Sequence, residues 1–351
     1  MQPVRLLILG TGGMAKHHAE HFAAIPGVTL VAGIDTRPEG LAAFQHTHNI
    51  PNGFASVQDA LAWGEFDAVT NVTPDAAHYA TTLPFLAAGK HVLCEKPLAT
   101  NAAHAEEMAT AAAKAGVVNM VNLTYRNVPA LQRAAEMVRD GAIGPIRHFE
   151  ASYLQSWLTQ PAWGHWDKES QWLWRLSTAH GSKGVLGDVG IHILDFATFA
   201  AGMAATEVSC LLQTFDKAPG GKIGEYTLDA NDSATMQVRL ANSALGTVAA
   251  TRFATGHLND LRLRLYGLTG GIEVSFENQV SRLRACLGQN IHTGTWAEVD
   301  CPPVPTVYQR FIAAIRGEGA AEPDFARGAA LQRLLDQAEA SADEGGRLLK
   351  V

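Results

Sequence analysis

The sequence predicts two domains: a doubly wound α/β domain on a parallel sheet, then an α+β domain with a large open, mainly antiparallel sheet. Three observations lead there. In the first third, short and wholly apolar runs alternate with helix-period segments, as in parallel strands buried on both faces. From about residue 146 the apolar period becomes two, the habit of strands with one packed and one polar face. The 351 residues, 47% of them apolar, supply more than one ordinary core. The expected division is 1–123 and 124–351.

"VRLLILG" (4–10) reads as a buried strand, and "GTGGMAKHHAEHFAAIPG" (10–27) as a glycine turn that opens a helix. Gly10, Gly12 and Ala15 occupy the G-x-G-x-x-A positions. Glycines there allow a tight turn and close approach of a pyrophosphate to the helix N-terminus. "VTLVAGID" follows as a strand ending in Asp35, an acid placed to accept hydrogen bonds from an adenosine ribose. Strand, turn, helix, strand and acid together predict a Rossmann dinucleotide site, with Gly10, Gly12, Gly13, Met14, Asp35 and Arg37 as contacts. Asp35 favours NAD by repelling a 2′-phosphate; Arg37 keeps NADP as the alternative.

More βα units follow. "FDAVTNVTP" (66–74) and "KHVLCEKP" (90–97) are strands, each leading into an alanine-rich helix, and "VVNMVNLTYR" (117–126) is another strand. Ligands of such sheets bind beyond the carboxyl ends of the strands. That edge makes Asn71, Thr73, Pro74, Glu95 and Lys96 candidates.

In the second half, "DSATMQVRL" sets Ala234, Met236, Val238 and Leu240 against Thr235, Gln237 and Arg239, and "LRLRLYG" with "IEVSF" reads as a hairpin. Helices are expected around 187–201, 304–316 and 325–343. The polar face of this sheet, with Arg239, Gln237, Arg262 and Arg264, is either solvated or covered by a second subunit. A homodimer or homotetramer is the expected assembly.

A net charge of −7 without basic runs argues against nucleic acid or an acidic membrane as partner. No stretch approaches the ~20 apolar residues of a membrane span. The four cysteines, Cys94, Cys210, Cys286 and Cys301, are far apart and form neither a disulfide framework nor a metal knuckle. A reducing cytoplasm and no metal are expected.

Along nearly the whole chain the sequence resembles the Gfo/Idh/MocA family of NAD(P)-dependent oxidoreductases. The carrying motifs are "GTGGMAKHH", "NVTPDAAH" (71–78), "CEKPLA" (94–99), "NLTYRNVPAL" (122–131), "DGAIGPI" (140–146) and "GVLGDVGIHILD" (184–195). The resemblance implies a sugar, cyclitol or related polyol substrate, with Lys96, Asp188 and His192 at the reaction centre. It also implies cofactor contacts at His78, Asn122, Trp174 and Arg175, and substrate contacts at Tyr125 and Arg126. Lys183-Gly184 departs from the glycine run common in the family.

Oxidising a secondary alcohol requires a proton to leave oxygen while a hydride leaves carbon. His192 is the expected base, Lys96 the cation beside the developing alkoxide, and Asp188 either a hydroxyl acceptor or a proton relay. "GDVGIHILD" would place Asp188 and His192 on one face of a helix. Gly190, costly inside a helix, is expected to make room for the nicotinamide or a wall of the cleft. The stretch 155–176 holds five of the seven tryptophans, and Trp163 is the expected platform for the C–H face of a sugar ring. Two alternatives remain at this level: an NAD-dependent glycoside hydrolase acting through transient oxidation, and a sugar sensor without turnover.

Overall fold

The structure is a computed structural model describing residues 2–161 and 163–351. It begins with alternating strands and helices: β1 (Val4–Leu9), α1 (Gly13–Ala23), β2 (Val28–Ile34), α2 (Pro38–His48), β3 (Asn52–Phe54) and α3 (Val57–Trp63). They continue as β4 (Ala68–Asn71), α4 (His78–Ala87), β5 (His91–Cys94), α5 (Ala102–Ala115) and β6 (Asn119–Val121). The six strands form one sheet in the order β3-β2-β1-β4-β5-β6, with every pairing parallel. The order reverses between β1 and β4, so the loops after Leu9 and Asn71 flank the switch point. Leu6, Leu7, Ile8, Val69, Val92 and Leu93 are buried on both faces, which explains why these strands read as unbroken apolar runs.

The second unit carries α6 (Pro129–Arg139), β7 (Ile146–Gln155), the short α7 (Ser170–Leu173), α8 (Ile191–Ala201), β8 (Ala205–Gln213), and the two-residue strands β9 (Lys222–Ile223) and β10 (Tyr226–Thr227). Then come β11 (Ser233–Leu240), β12 (Leu245–Thr251), β13 (Asn259–Gly267), β14 (Gly270–Glu277), β15 (Val280–Leu287), α9 (Asn290–Thr293) and β16 (Ala297–Glu298). Residues 305–351 supply α10 (Val307–Ile315), α11 (Phe325–Asp343) and β17 (Leu349–Lys350). The large sheet runs β16-β15-β14-β13-β7-β12-β11-β8-β17. It is antiparallel except where β12 lies parallel to β7.

One face of this sheet packs on α8, which is buried at every position but Phe199. The other face is polar, and its charges alternate in register across five strands. Glu150 stands opposite Arg264, Arg264 opposite Glu273, Glu273 opposite Arg284 and Arg284 opposite Glu298. Each neighbouring pair lies within ion-pair distance. These pairs are part-exposed, so each contributes little to stability, but like charges in the same row would repel.

The chain divides by contacts into Met1–Thr124 with Pro305–Gln332, and Tyr125–Val304 with Arg333–Val351. A single break after residue 123 therefore does not describe it, because residues 305–332 return to the first unit. The reason is apolar: Val307, Tyr308, Phe311 and Ile312 share one cluster with Ile8, Ala15, Ala19, Phe22 and Met120. Helix α10 begins with a reciprocal capping box between Thr306 and Gln309, which satisfies two orphan N–H groups. Among the described residues no helix is long and apolar enough to cross a membrane. Phe311 is wholly buried, so Phe311→Ala should destabilise the first unit by about 3–5 kcal/mol, read from its urea unfolding curve.

Candidate active site

In the first unit, Gly10 turns the chain out of β1 at φ +91°, and a Cβ there would lie 2.8 Å from the Val72 carbonyl oxygen. Close approach of two strand ends therefore demands this glycine. Gly12 and Gly13 differ: a Cβ at either would meet nothing within 4 Å. Nothing in the protein's packing requires them, and α1 starts at Gly12 without a side-chain cap. Open space before uncapped helix N–H groups is the cradle that a pyrophosphate fits. Met14 is exposed beside it.

Asp35 closes this turn from β2. Thr11 donates its N–H and hydroxyl to Asp35 Oδ2 at 2.9 and 2.5 Å. Arg37 donates its N–H at 2.9 Å and its Nε at 3.1 Å to Oδ1. Burial opposes the charge, but the hydrogen bonds from Arg37 and Thr11 outweigh it and hold the carboxyl well below the usual range. The acid and the arginine that sequence reasoning set against each other are thus bonded to each other.

The carboxyl edge of the sheet carries Asn71, Thr73, Pro74, His78, Glu95, Lys96 and Asn122. Several of the side chains predicted to reach the cofactor are committed to the protein. Asn71 donates to Thr81 and Thr82 at 2.9 Å each and accepts from the Thr73 N–H and hydroxyl. His78 lies between two main-chain carbonyls. Glu95 Oε1 accepts from Asn122 Nδ2 at 2.7 Å and faces His18 Nε2 at 2.8 Å, while Oε2 accepts the Lys96 N–H at 3.1 Å. His18 Nδ1 reaches the Thr70 hydroxyl at 2.7 Å, and Asn122 also donates to Tyr308 at 3.1 Å. Glu95, Asn122 and His18 are buried, whereas Thr73 and Lys96 are partly open and Pro74 is exposed. Burial would raise the Glu95 pKa, yet His18, Asn122 and Lys96 lower it to about 2.

In the second unit, "GDVGIHILD" is not one regular helix. Leu186–Gly190 forms a π-helical turn that passes into α8 at Ile191, so Asp188 sits in the wider turn and His192 in the first turn of α8. Such turns recur at functional sites. A Cβ on Gly190 would meet Leu186 Cδ1 at 3.2 Å. Its close neighbour within the protein is thus the preceding turn of its own segment, which gives the glycine a packing reason.

Asp188 Oδ2 accepts from Arg175 Nη1 at 3.2 Å and from Arg252 Nη2 at 3.1 Å. Arg252 is wholly buried, lies 5.0 Å from the Trp157 ring centroid, and also donates to the Arg175 carbonyl. Arg175 in turn lies over the exposed Trp174 ring at 4.7 Å. Beside His192, the Tyr125 ring stands edge-on at 5.0 Å, and Tyr125 and Tyr153 share a hydroxyl contact. Asn259, opposite Gln155 in the β7–β13 register, donates to Tyr125 at 2.8 Å and accepts from Tyr153 and from Gln155 Nε2. Trp157 donates to Gln155 Oε1 at 3.2 Å. Burial, reinforced by the Asp188 charge, raises the pKa of both phenols.

Trp163 is exposed and stacks on Trp172, which leans on Trp157. Arg126, expected at the substrate, is buried in a two-bond pair with Asp195 at 2.6 and 2.9 Å and lies over Phe199 at 3.5 Å. Its guanidinium ties the start of the second unit to α8. Among the described residues no group of three or more His, Cys, Asp or Glu is arranged to hold a metal.

Residues 4–123 match the profile of an oxidoreductase family with an NAD-binding Rossmann fold, and residues 131–273 match the GFO/IDH/MocA C-terminal domain. The chain belongs to the Gfo/Idh/MocA family. Levoglucosan dehydrogenase of Pseudarthrobacter phenanthrenivorans is 28% identical over 300 residues, 80% of this chain and 75% of that enzyme. An oxidoreductase domain protein from Kribbella flavida has a TM-score of 0.88 at 30% identity, with 100% of both chains covered. A levoglucosan dehydrogenase in complex with NADH and L-sorbose has a TM-score of 0.87 at 26% identity, covering 100% of this chain and 99% of that one. This Gfo/Idh/MocA chain is an NAD(P)-dependent oxidoreductase whose Rossmann domain binds NAD.

Arg252, Tyr153 and Asn259 had no signal that singled them out in the sequence, whereas Gln155 stands at the start of the tryptophan-rich stretch. Arg252 follows a strand and Asn259 opens one, and only strand pairing brings them to the segment around Asp188 and His192. Glu95 yields a prediction on the first unit. Its folded pKa lies below its ordinary value of 4.5, so it contributes stability above that value and loses it as pH falls towards about 2. Glu95→Gln should be less stable at neutral pH and should lack that component of acid unfolding, read by circular dichroism across the acid range.

Proposed function

We propose that the protein transfers a hydride between a secondary hydroxyl of a sugar, cyclitol or related polyol and the nicotinamide of NAD. The observation that carries this reading is the constellation around Asp188 and His192. It joins a carboxylate held by two guanidinium groups, a histidine in the first turn of α8, and a wall of neutral hydroxyl and amide groups from Tyr125, Tyr153, Gln155 and Asn259. Neutral donors and acceptors of this kind suit the hydroxyls of a polyol, and the aromatic edges suit its C–H faces. Levoglucosan dehydrogenase, which is similar over most of the chain, supports an anhydrosugar or related ring as substrate class.

In the oxidation direction NAD+ supplies the hydride acceptor. The roles of the chain's own residues follow from their chemistry. His192 takes the hydroxyl proton. The Lys96 ammonium stabilises the negative charge that grows on that oxygen. Asp188, bonded to Arg175 and Arg252, is suited to holding a neighbouring hydroxyl. Gly12 and Gly13 admit the pyrophosphate beside the turn that Gly10 makes possible, and Asp35 holds the adenosine ribose. Trp163, backed by Trp172, offers a ring face to the sugar.

A panel of inositols, hexoses, anhydrosugars and glycosides, assayed with NAD and NADP, tests the reading. Growth of NADH absorbance on one polyol class is the expected result. Release of sugar from a glycoside without such growth would replace it with a glycosidic cleavage, and no turnover on any member would replace it with sensing. On the preferred substrate, Lys96→Ala should lower kcat about 10²–10³-fold. Trp163→Ala should raise KM by about two- to tenfold with kcat kept. Asp35→Ala removes the acid that bonds both Thr11 and Arg37, so the ratio of NADP to NAD use should rise by about 10–100-fold, read as kcat/KM for each cofactor.

A further inference from the structure

His78 begins α4, in the connection that follows β4, and is wholly buried. Its Nδ1 lies 2.7 Å from the Pro97 carbonyl oxygen and its Nε2 2.9 Å from the Thr73 carbonyl oxygen. A carbonyl oxygen can only accept, and a neutral imidazole has a single N–H. A neutral ring would therefore press one nitrogen lone pair against a carbonyl lone pair inside the protein. An imidazolium donates to both.

We propose that His78 is a buried imidazolium that clamps the loop after β4 to the loop after β5, and through Pro97 is a positioning residue for Lys96. Burial alone would discharge the ring, but Cys94 at the end of β5, Asp75 in the turn before α4, and the Pro97 carbonyl outweigh it and push the pKa up to about 10. Both clamped loops are tied a second time. The Thr73 N–H and hydroxyl bond to Asn71 Oδ1, and the Lys96 N–H bonds to Glu95 Oε2. Lys96 thus has the Glu95 carboxylate on its own N–H and the His78 ring on the next carbonyl. A lysine on four rotatable bonds holds its ammonium in one place only if its backbone is fixed. The assignment to Lys96 rests on the proposed reaction centre; the imidazolium does not.

Proton–nitrogen correlation NMR of the full chain carrying ¹⁵N-histidine decides the first point. The signal of His78, identified by its loss in His78→Gln, should show both ring nitrogens protonated from about pH 6 to about pH 9, beyond the ordinary histidine range. A ring with one bare nitrogen at neutral pH overturns the proposal, and that measurement needs only the wild-type protein if the variant folds poorly. His78→Gln keeps one donor and loses the charge. On the polyol that the panel above identifies, it should lower kcat about tenfold and leave KM for that polyol and for NAD within about twofold. An unchanged kcat with a lower Tm would make His78 a packing residue and overturn its positioning role. If Lys96→Ala proves fully active, the reaction centre proposed above fails, while the NMR result still decides the clamp.

Discussion

The first unit depends on one buried carboxylate. Glu95 gathers His18 from α1, Asn122 from the end of β6 and the Lys96 N–H from its own loop. Through His18 and Asn122 the same network reaches Thr70 on β4 and Tyr308 on α10. Five elements spread over the first 124 residues and the returning segment thereby share one set of polar contacts. A charge in such a place is costly unless each lone pair finds a donor, and removing one partner of a buried pair typically costs about 3–5 kcal/mol. That penalty makes the arrangement all-or-none: α10 must come back, and the strand ends must stay in register, for Glu95 to be satisfied. Lys96 inherits its position from this constraint, since its N–H is one of the donors.

The second unit solves a similar problem around Asp188, with different means. Here the carboxylate is partly open, and its partners are guanidinium groups, one of them wholly buried against Trp157. Planar guanidinium groups on a carboxylate fix direction as well as charge. The π-helical turn that carries Asp188 would be unstable as an isolated segment. It is seated by Asn231, whose side-chain oxygen accepts the Leu186 N–H and whose carbonyl accepts the Val185 N–H. Helix α8 then carries His192 into a sheet-backed, largely buried setting, and Asp195 on the same helix anchors Arg126. Arg126 thus holds the helix in place through its paired bonds to Asp195.

The sequence by itself determined the order of elements, the two sheet types and the glycine turn before α1, because these follow from local periods of 2 and 3.6 and from backbone freedom at single residues. It also offered Asp35, Lys96, Asp188 and His192 as candidates, since short motifs keep them within a few residues of a strand end or helix start. Only the tertiary structure decided that residues 305–332 complete the first unit, because an amphipathic helix does not state which core it will join. It alone decided that Asn71, His78, Glu95 and Asn122 spend their side chains on the protein. It likewise brought Arg252 and Asn259 to the segment around Asp188. A polar residue's partner is chosen by strand register and burial, and those link positions such as Asn122 and Tyr308, 186 residues apart, that no local pattern connects.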